Sequence, residues 1–192
     1  MKRILILLIL IMSHFANAEP YREYSQSELE ALFGLENEKG EYIVELDIPA
    51  LVEITKQLEQ HAVNYPPQFD QESDKKLAVR DAVYLSNVMD ILFAGFENDL
   101  TLLNLTLRIN NVAYNLDVQP EISQNRLKKA ADAAFKLEPD SVETHYRLGY
   151  FLAATNQIDE ALPHLEKASE QGVNNANYTL GMIFISQEHV GR

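Results

Sequence analysis

YRLGYFLAATNQIDEALPHLEKASEQG (146–172), followed at 178–184 by YTLGMIF, states one helical phrase twice: Leu148-Gly149 returns as Leu180-Gly181 after 32 residues. Recurrence at a period of about 20 to 50 residues marks stacked helical hairpins. Each such hairpin buries one face on its neighbours and leaves a groove open, an architecture suited to holding other molecules.

Outward from this stretch, helical signals fill the chain from residue 71. Ser73 is read as the cap of a long helix in which Leu77, Val83 or Tyr84, Val88, and Ile91 or Leu92 keep roughly helical spacing as far as Gly95. A second helix, 98–116, carries Leu102, Leu103, Leu105, Leu107, Ile109 and Val112, a density that predicts burial on more than one side. Pro120 opens a third, in which Leu127, Ala131, Ala134 and Phe135 share a face up to Glu138-Pro139-Asp140. Further helices are expected at 141–154, 159–171 and 175–186. Seven or eight helices joined by short loops predict an all-α solenoid of antiparallel hairpins over 67–192, in place of an α/β domain.

The front of the chain, 19–66, is acidic and less regular. Ser27, with Glu30 three residues on, forms a capping-box pattern, so a short helix is expected over 25–34, closed by Gly34. The segment 41–47 (EYIVELD) has a strand's composition but no second strand candidate to pair with, and is read as extended chain lying on the helices. Asp47 is read as the cap of a helix with Pro49 in its first turn, running to about Ala62 and stopped by Tyr65-Pro66-Pro67.

The first residues read as a leader. Lys2 and Arg3 precede an apolar run at 4–12, and Ala16-Asn17-Ala18 is a small-x-small cleavage pattern, so 1–18 is expected to be removed as a signal peptide. Nine apolar residues fall short of the roughly 20 that cross a bilayer. A periplasmic or secreted location follows, with no membrane span in the mature chain. There is no cysteine, so an exported domain of this kind depends on its hydrophobic core alone. The leader takes two cations and no anion from 16 Lys and Arg against 29 Asp and Glu, leaving a net of −15. Such a surface repels phosphate backbones, which argues against nucleic acid as a partner. Between Glu19 and Asp47 nine acidic residues face only Arg22 and Lys39, and the segment is read as solvated and partly ordered, or alternatively as a docking tail for a basic partner.

HYRLGYFLAATNQIDEALPHLEKA (145–168) resembles a tetratricopeptide repeat (TPR), with Leu148, Gly149 and Leu152 on its first helix and Ala161, Leu165 and Ala168 on its second. The clearest repeat covers 142–175. LKKAADAAFKLEPDS (127–141) resembles the second helix of a preceding repeat, and 167–184 resembles the related Sel1-like repeats. Small residues at Gly149 and Ala161 suit a close helix crossing, with the leucines filling the space around it. YPPQFD (65–70) and NLDV (115–118) resemble segments of a group of exported bacterial TPR proteins. Two positions and one stretch depart from the pattern. His145 stands where a large apolar residue is usual and is expected to loosen contact with the preceding helix; Pro163 falls inside the second helix, read as starting late under an Asp159 cap. The stretch 98–120 lacks the Leu-Gly pair, so its pairing with 121–137 rests on helix order.

The resemblance implies that first helices line a concave face. Here that face would present Glu143, Tyr146, Tyr150, Ala153 and Ala154, then Asn175, Tyr178, Met182 and Ile185. Tyrosines and an asparagine suit a peptide's apolar side chains and backbone amides; the same tyrosines could instead stabilise the stack. TPR domains that clamp a terminal carboxylate use Lys, Arg and Asn where this chain has Tyr146 and Tyr150, so that mode is not expected. Leu180, Ile183 and Phe184 are read as a surface for self-association or docking, because no second helix of the last repeat follows within the sequence. No nucleophile elbow, zinc helix or phosphate loop is present, and His61, His145, His164 and His189 fit no metal-ligand spacing, with one expected to pack and three to be solvated. No catalytic residue, metal or cofactor is therefore expected. The sequence reads as an exported scaffold that binds a protein or peptide, or alternatively as a structural subunit or homo-oligomer; an unrecognised enzyme or small-ligand binder comes third.

Overall fold

Eleven of the sixteen residues of one helix, α4 (Leu100–Asn115), are buried, more than any single apolar stripe can hold. In the computed structural model, which describes residues 20–36, 42–43 and 45–190, α2 (Ile48–Ala62), α3 (Glu72–Phe96), α5 (Pro120–Leu137) and α6 (Val142–Ala154) all pack on it. The leader 1–18 and its cleavage point lie outside the described residues. The rest of the architecture is α1 (Gln26–Ala31), a two-residue antiparallel ladder of β1 (Leu35–Glu36) and β2 (Tyr42–Ile43), α7 (Ile158–Glu170) and α8 (Asn174–Val190). The described chain is thus all-helical apart from that ladder. No helix among the described residues is long and apolar enough to cross a membrane.

Neighbours in sequence pack as pairs: α4 on α5, α6 on α7, α7 on α8. Alternate helices also meet, α2 on α4, α4 on α6 and α6 on α8. At the α6–α7 crossing, an added Cβ on Gly149 would lie 2.9 Å from Leu165 Cγ and 3.1 Å from the Leu165 backbone nitrogen, so only glycine allows this approach. Leu152, Phe151, Ala161, Leu165 and Ala168 are buried around it. Each fully buried Leu or Phe contributes about 1.5–3 kcal/mol here.

Three expected caps move. Ser25, not Ser27, caps α1, its side chain accepting from the Glu28 N–H while the Glu28 carboxylate accepts from the Ser25 N–H. Gln71 and Gln157 precede α3 and α7 without side-chain caps, so Ser73 and Asp159 fall inside helices. Pro163 is consequently the sixth residue of α7, where its missing N–H leaves the Asp159 carbonyl without the usual helical donor. Asp47 caps α2 through the Ala50 N–H as expected. The 41–47 segment does find a partner, with Ile43 opposite Leu35.

The acidic front segment is anchored more firmly than its charge implies. Tyr21, Tyr24, Leu29, Leu32 and Phe33 are buried in the common core. The Tyr21 hydroxyl donates to the buried Asp81 carboxylate at 3.0 Å, and Arg80 Nε donates to its other oxygen at 2.7 Å. Apolar residues go inside while the carboxylates of 20–33 stay at the surface, a division that net charge alone does not reveal.

His145 tightens the contact it was expected to loosen. Its ring lies 4.7 Å from Phe135 of α5 and 5.0 Å from His164 of α7, with Nδ1 of the two histidines 2.8 Å apart. His145 Nε2 donates to the Pro139 carbonyl at 3.0 Å, so in the neutral pair His145 Nδ1 accepts and His164 Nδ1 donates. With His61 buried and stacked on Phe69, the three histidines described here serve packing, against the one expected. Burial first, and His145 second, hold the His164 imidazole below its ordinary value, with Glu160 acting against them. A depressed folded pKa means that the unfolded chain binds more protons, so this contribution to stability is present above about pH 6.5 and is lost as pH falls from there through the folded value. Urea titrations are expected to show stability declining over that window in wild type. In His164→Phe, which keeps the stack on Phe135, the slope should be shallower by at most about 1.4 kcal/mol per pH unit.

Candidate binding groove

α6 turns Tyr146, Arg147 and Tyr150 toward one side because they lie three and four residues apart on a helix whose opposite face, Leu148, Phe151 and Leu152, is buried. α8 brings Asn175, Tyr178 and Thr179 beside them. The opposite wall is α2 and the residues just after it: Lys56, Glu59, Gln60, Val63 and Asn64. Together they enclose a cavity of about 570 Å³. A second hollow of about 340 Å³, more apolar, adjoins it, sharing Tyr150, Tyr178 and Thr179 and adding Ala153, Ala154 and Met182.

The tyrosines divide between the two roles open to them. Tyr146 and Tyr150 are half-buried, their rings 6.1 Å apart, and the Arg147 guanidinium lies 5.5 Å from the Tyr146 ring centre. The Tyr150 hydroxyl bonds to the Asn64 side chain and reaches the Val63 carbonyl, tying α6 to the end of α2. Tyr178 and Met182 are open, 71% and 50% exposed. Burial raises the Tyr146 phenol, with Arg147 and a hydrogen bond to Asn175 acting against it, and burial also raises the Tyr150 phenol. Both are therefore neutral hydroxyls at physiological pH.

The groove floor is held by charge. Glu59 receives Arg108 Nε at 2.9 Å and Nη2 at 2.6 Å, and Arg147 Nη1 at 3.2 Å, so one carboxylate links α2, α4 and α6. Glu143 lies at the rim, bound to Arg147 Nε at 2.7 Å. Beside it, Asn115 of α4 donates to the Ala62 and Val63 carbonyls, satisfying groups that the end of α2 leaves without helical donors.

Of the residues expected on this face, Tyr146, Tyr150, Asn175 and Tyr178 line the main cavity, Ala153, Ala154 and Met182 its extension, and Glu143 supports Arg147. Ile185 is exposed on α8. The α2 wall was missed. Its residues belong to the front segment of a division drawn at 66 and 67, and no local pattern links Glu59 with Arg108, 49 residues on. The expected association surface changes as well: Leu180 and Ile183 turn inward, at 9% and 5% exposure, because α8 packs on α6 and α7 through them. Only Phe184 of the three is open. Comparison of the chain with family models, with curated proteins and with solved structures returns no match.

Proposed function

We propose that the chain is an exported TPR-like scaffold whose concave face binds a protein or peptide. The observation that carries this reading is the pair of adjoining hollows between α2, α6 and α8, which offer aromatic surface, amide groups and an apolar extension side by side. An extended peptide needs that combination of surfaces: donors and acceptors for its backbone, flat apolar contacts for its side chains. The alternation of packed pairs along the chain supports a solenoid of hairpins, and the leader-like start supports export.

Crosslinked pull-down from the exporting cell, comparing wild type with Tyr146→Ala/Tyr178→Ala, tests the reading. The variant is expected to lose captured partners by about tenfold, on the scale of 1–3 kcal/mol for two aromatic contacts. Identical catches from a variant with unchanged circular dichroism would remove the groove from consideration. A structural-subunit role is the second reading, favoured by the open Phe184 and Ile185 of α8.

A further inference from the structure

α8 carries a second open strip, on a different side from the groove. Asn177, Gly181 and Phe184 hold the positions on α8 that His145, Gly149 and Leu152 hold on α6, displaced by the 32-residue repeat. On α6 that strip is sealed: α7 crosses at Gly149, and Leu152 is 2% exposed. On α8 a Cβ at Gly181 would meet nothing within 4 Å, and Phe184 is 50% exposed. Among the described residues the same motif is thus built twice and covered once.

We infer that the α8 strip is the docking surface for a second copy of this chain, the two α8 helices crossing at Gly181 with each Phe184 ring set over the other's glycine notch. Two observations select this occupant. The strip is self-complementary: a bulky knob and a hole lie one turn apart on one helix, so a two-fold axis through the crossing satisfies both at once. The surface is also compatible with like-charged partners. Each processed copy carries a formal net charge of −15, which opposes self-contact over most of the surface, yet residues 171–187 contain no charged side chain. The helix that covers the equivalent strip on α6 cannot serve again, because the apolar face of α7, Ala161, Leu165 and Ala168, is already buried.

Sedimentation equilibrium on the full processed chain tests the proposal, with Phe184→Asp and Gly181→Leu as probes. Both positions are open in the single chain, so both variants should remain folded and helical under conditions where the chain is monomeric. Wild type is expected to dimerise at low to mid micromolar concentration, more tightly as salt screens the net charge. Each variant should weaken the dimer at least tenfold, while Tyr146→Ala in the groove, on α6, leaves it unchanged. A wild-type chain that stays monomeric throughout that range overturns the proposal, as does a dimer indifferent to both substitutions; neither result bears on the groove.

Discussion

Alanine at Gly149 is expected to lower the unfolding free energy by about 1–3 kcal/mol, whereas alanine at Gly181, the same position one repeat later, should leave it unchanged or raise it by up to about 1 kcal/mol. Helix propensity favours both changes equally, since glycine is the poorer helix former by about 1 kcal/mol. The difference is what the new methyl group meets. At 149 it would stand 2.9 Å from Leu165 Cγ, 3.0 Å from His164 Cβ and 3.1 Å from the Leu165 nitrogen. The last two cannot yield by a side-chain rotation, so α6 and α7 must separate along their crossing. That separation would also stretch the His145–His164 hydrogen bond and loosen both rings from Phe135. At 181 the methyl group enters open space. Urea denaturation of both variants at concentrations where the chain is monomeric provides the measurement, and equal effects of the same sign would contradict the close crossing.

What could be read from the sequence was what the chain encodes locally. The α6–α7 hairpin was legible because Gly149, Ala161, Leu165 and Ala168 answer each other across a short loop, and α4 was legible as a multiply buried helix from its leucine density. Caps were less certain where neighbouring residues offered the same chemistry. Ser25 and Ser27 each have a glutamate three residues on, and the structure selects the pair that also lets Arg22 reach Glu28 at 2.7 Å. The groove was half legible: α6 and α8 share the repeat's register, while α2 has no register with them and is brought in by contacts distant in sequence. His145 was misread because its departure from the repeat pattern was judged by size, when its hydrogen-bonding nitrogens decide what it does. The burial of Leu180 and Ile183 was missed because helix spacing alone does not say which of several apolar faces turns inward. α8 is apolar on more than one side, so its inner face is set by where α6 and α7 stand.

Removing the Glu59 carboxylate is expected to destabilise the fold by about 2–4 kcal/mol, far above the value of an exposed ion pair. Glu59, Arg108 and Arg147 side chains are only 16%, 13% and 25% exposed, so little water is available to replace the lost partner. In Glu59→Ala, Arg108 loses both arms of a bidentate contact, and Arg147 keeps only Glu143. Breaking a fully buried pair costs about 3–5 kcal/mol; the residual exposure here lowers that figure somewhat. The same logic predicts that Glu59→Leu/Arg108→Leu is less harmful than either single change, because the double variant leaves no unpaired charge between α2 and α4. A coupling of at least about 1 kcal/mol should therefore appear in the double-mutant cycle. Since α2 forms one wall of the groove, the single variant should also bind groove ligands more weakly under conditions where it remains folded. A Glu59→Ala protein within about 0.5 kcal/mol of wild type, or a double variant as damaged as the sum of its parts, would show that α2 is held by its apolar face alone.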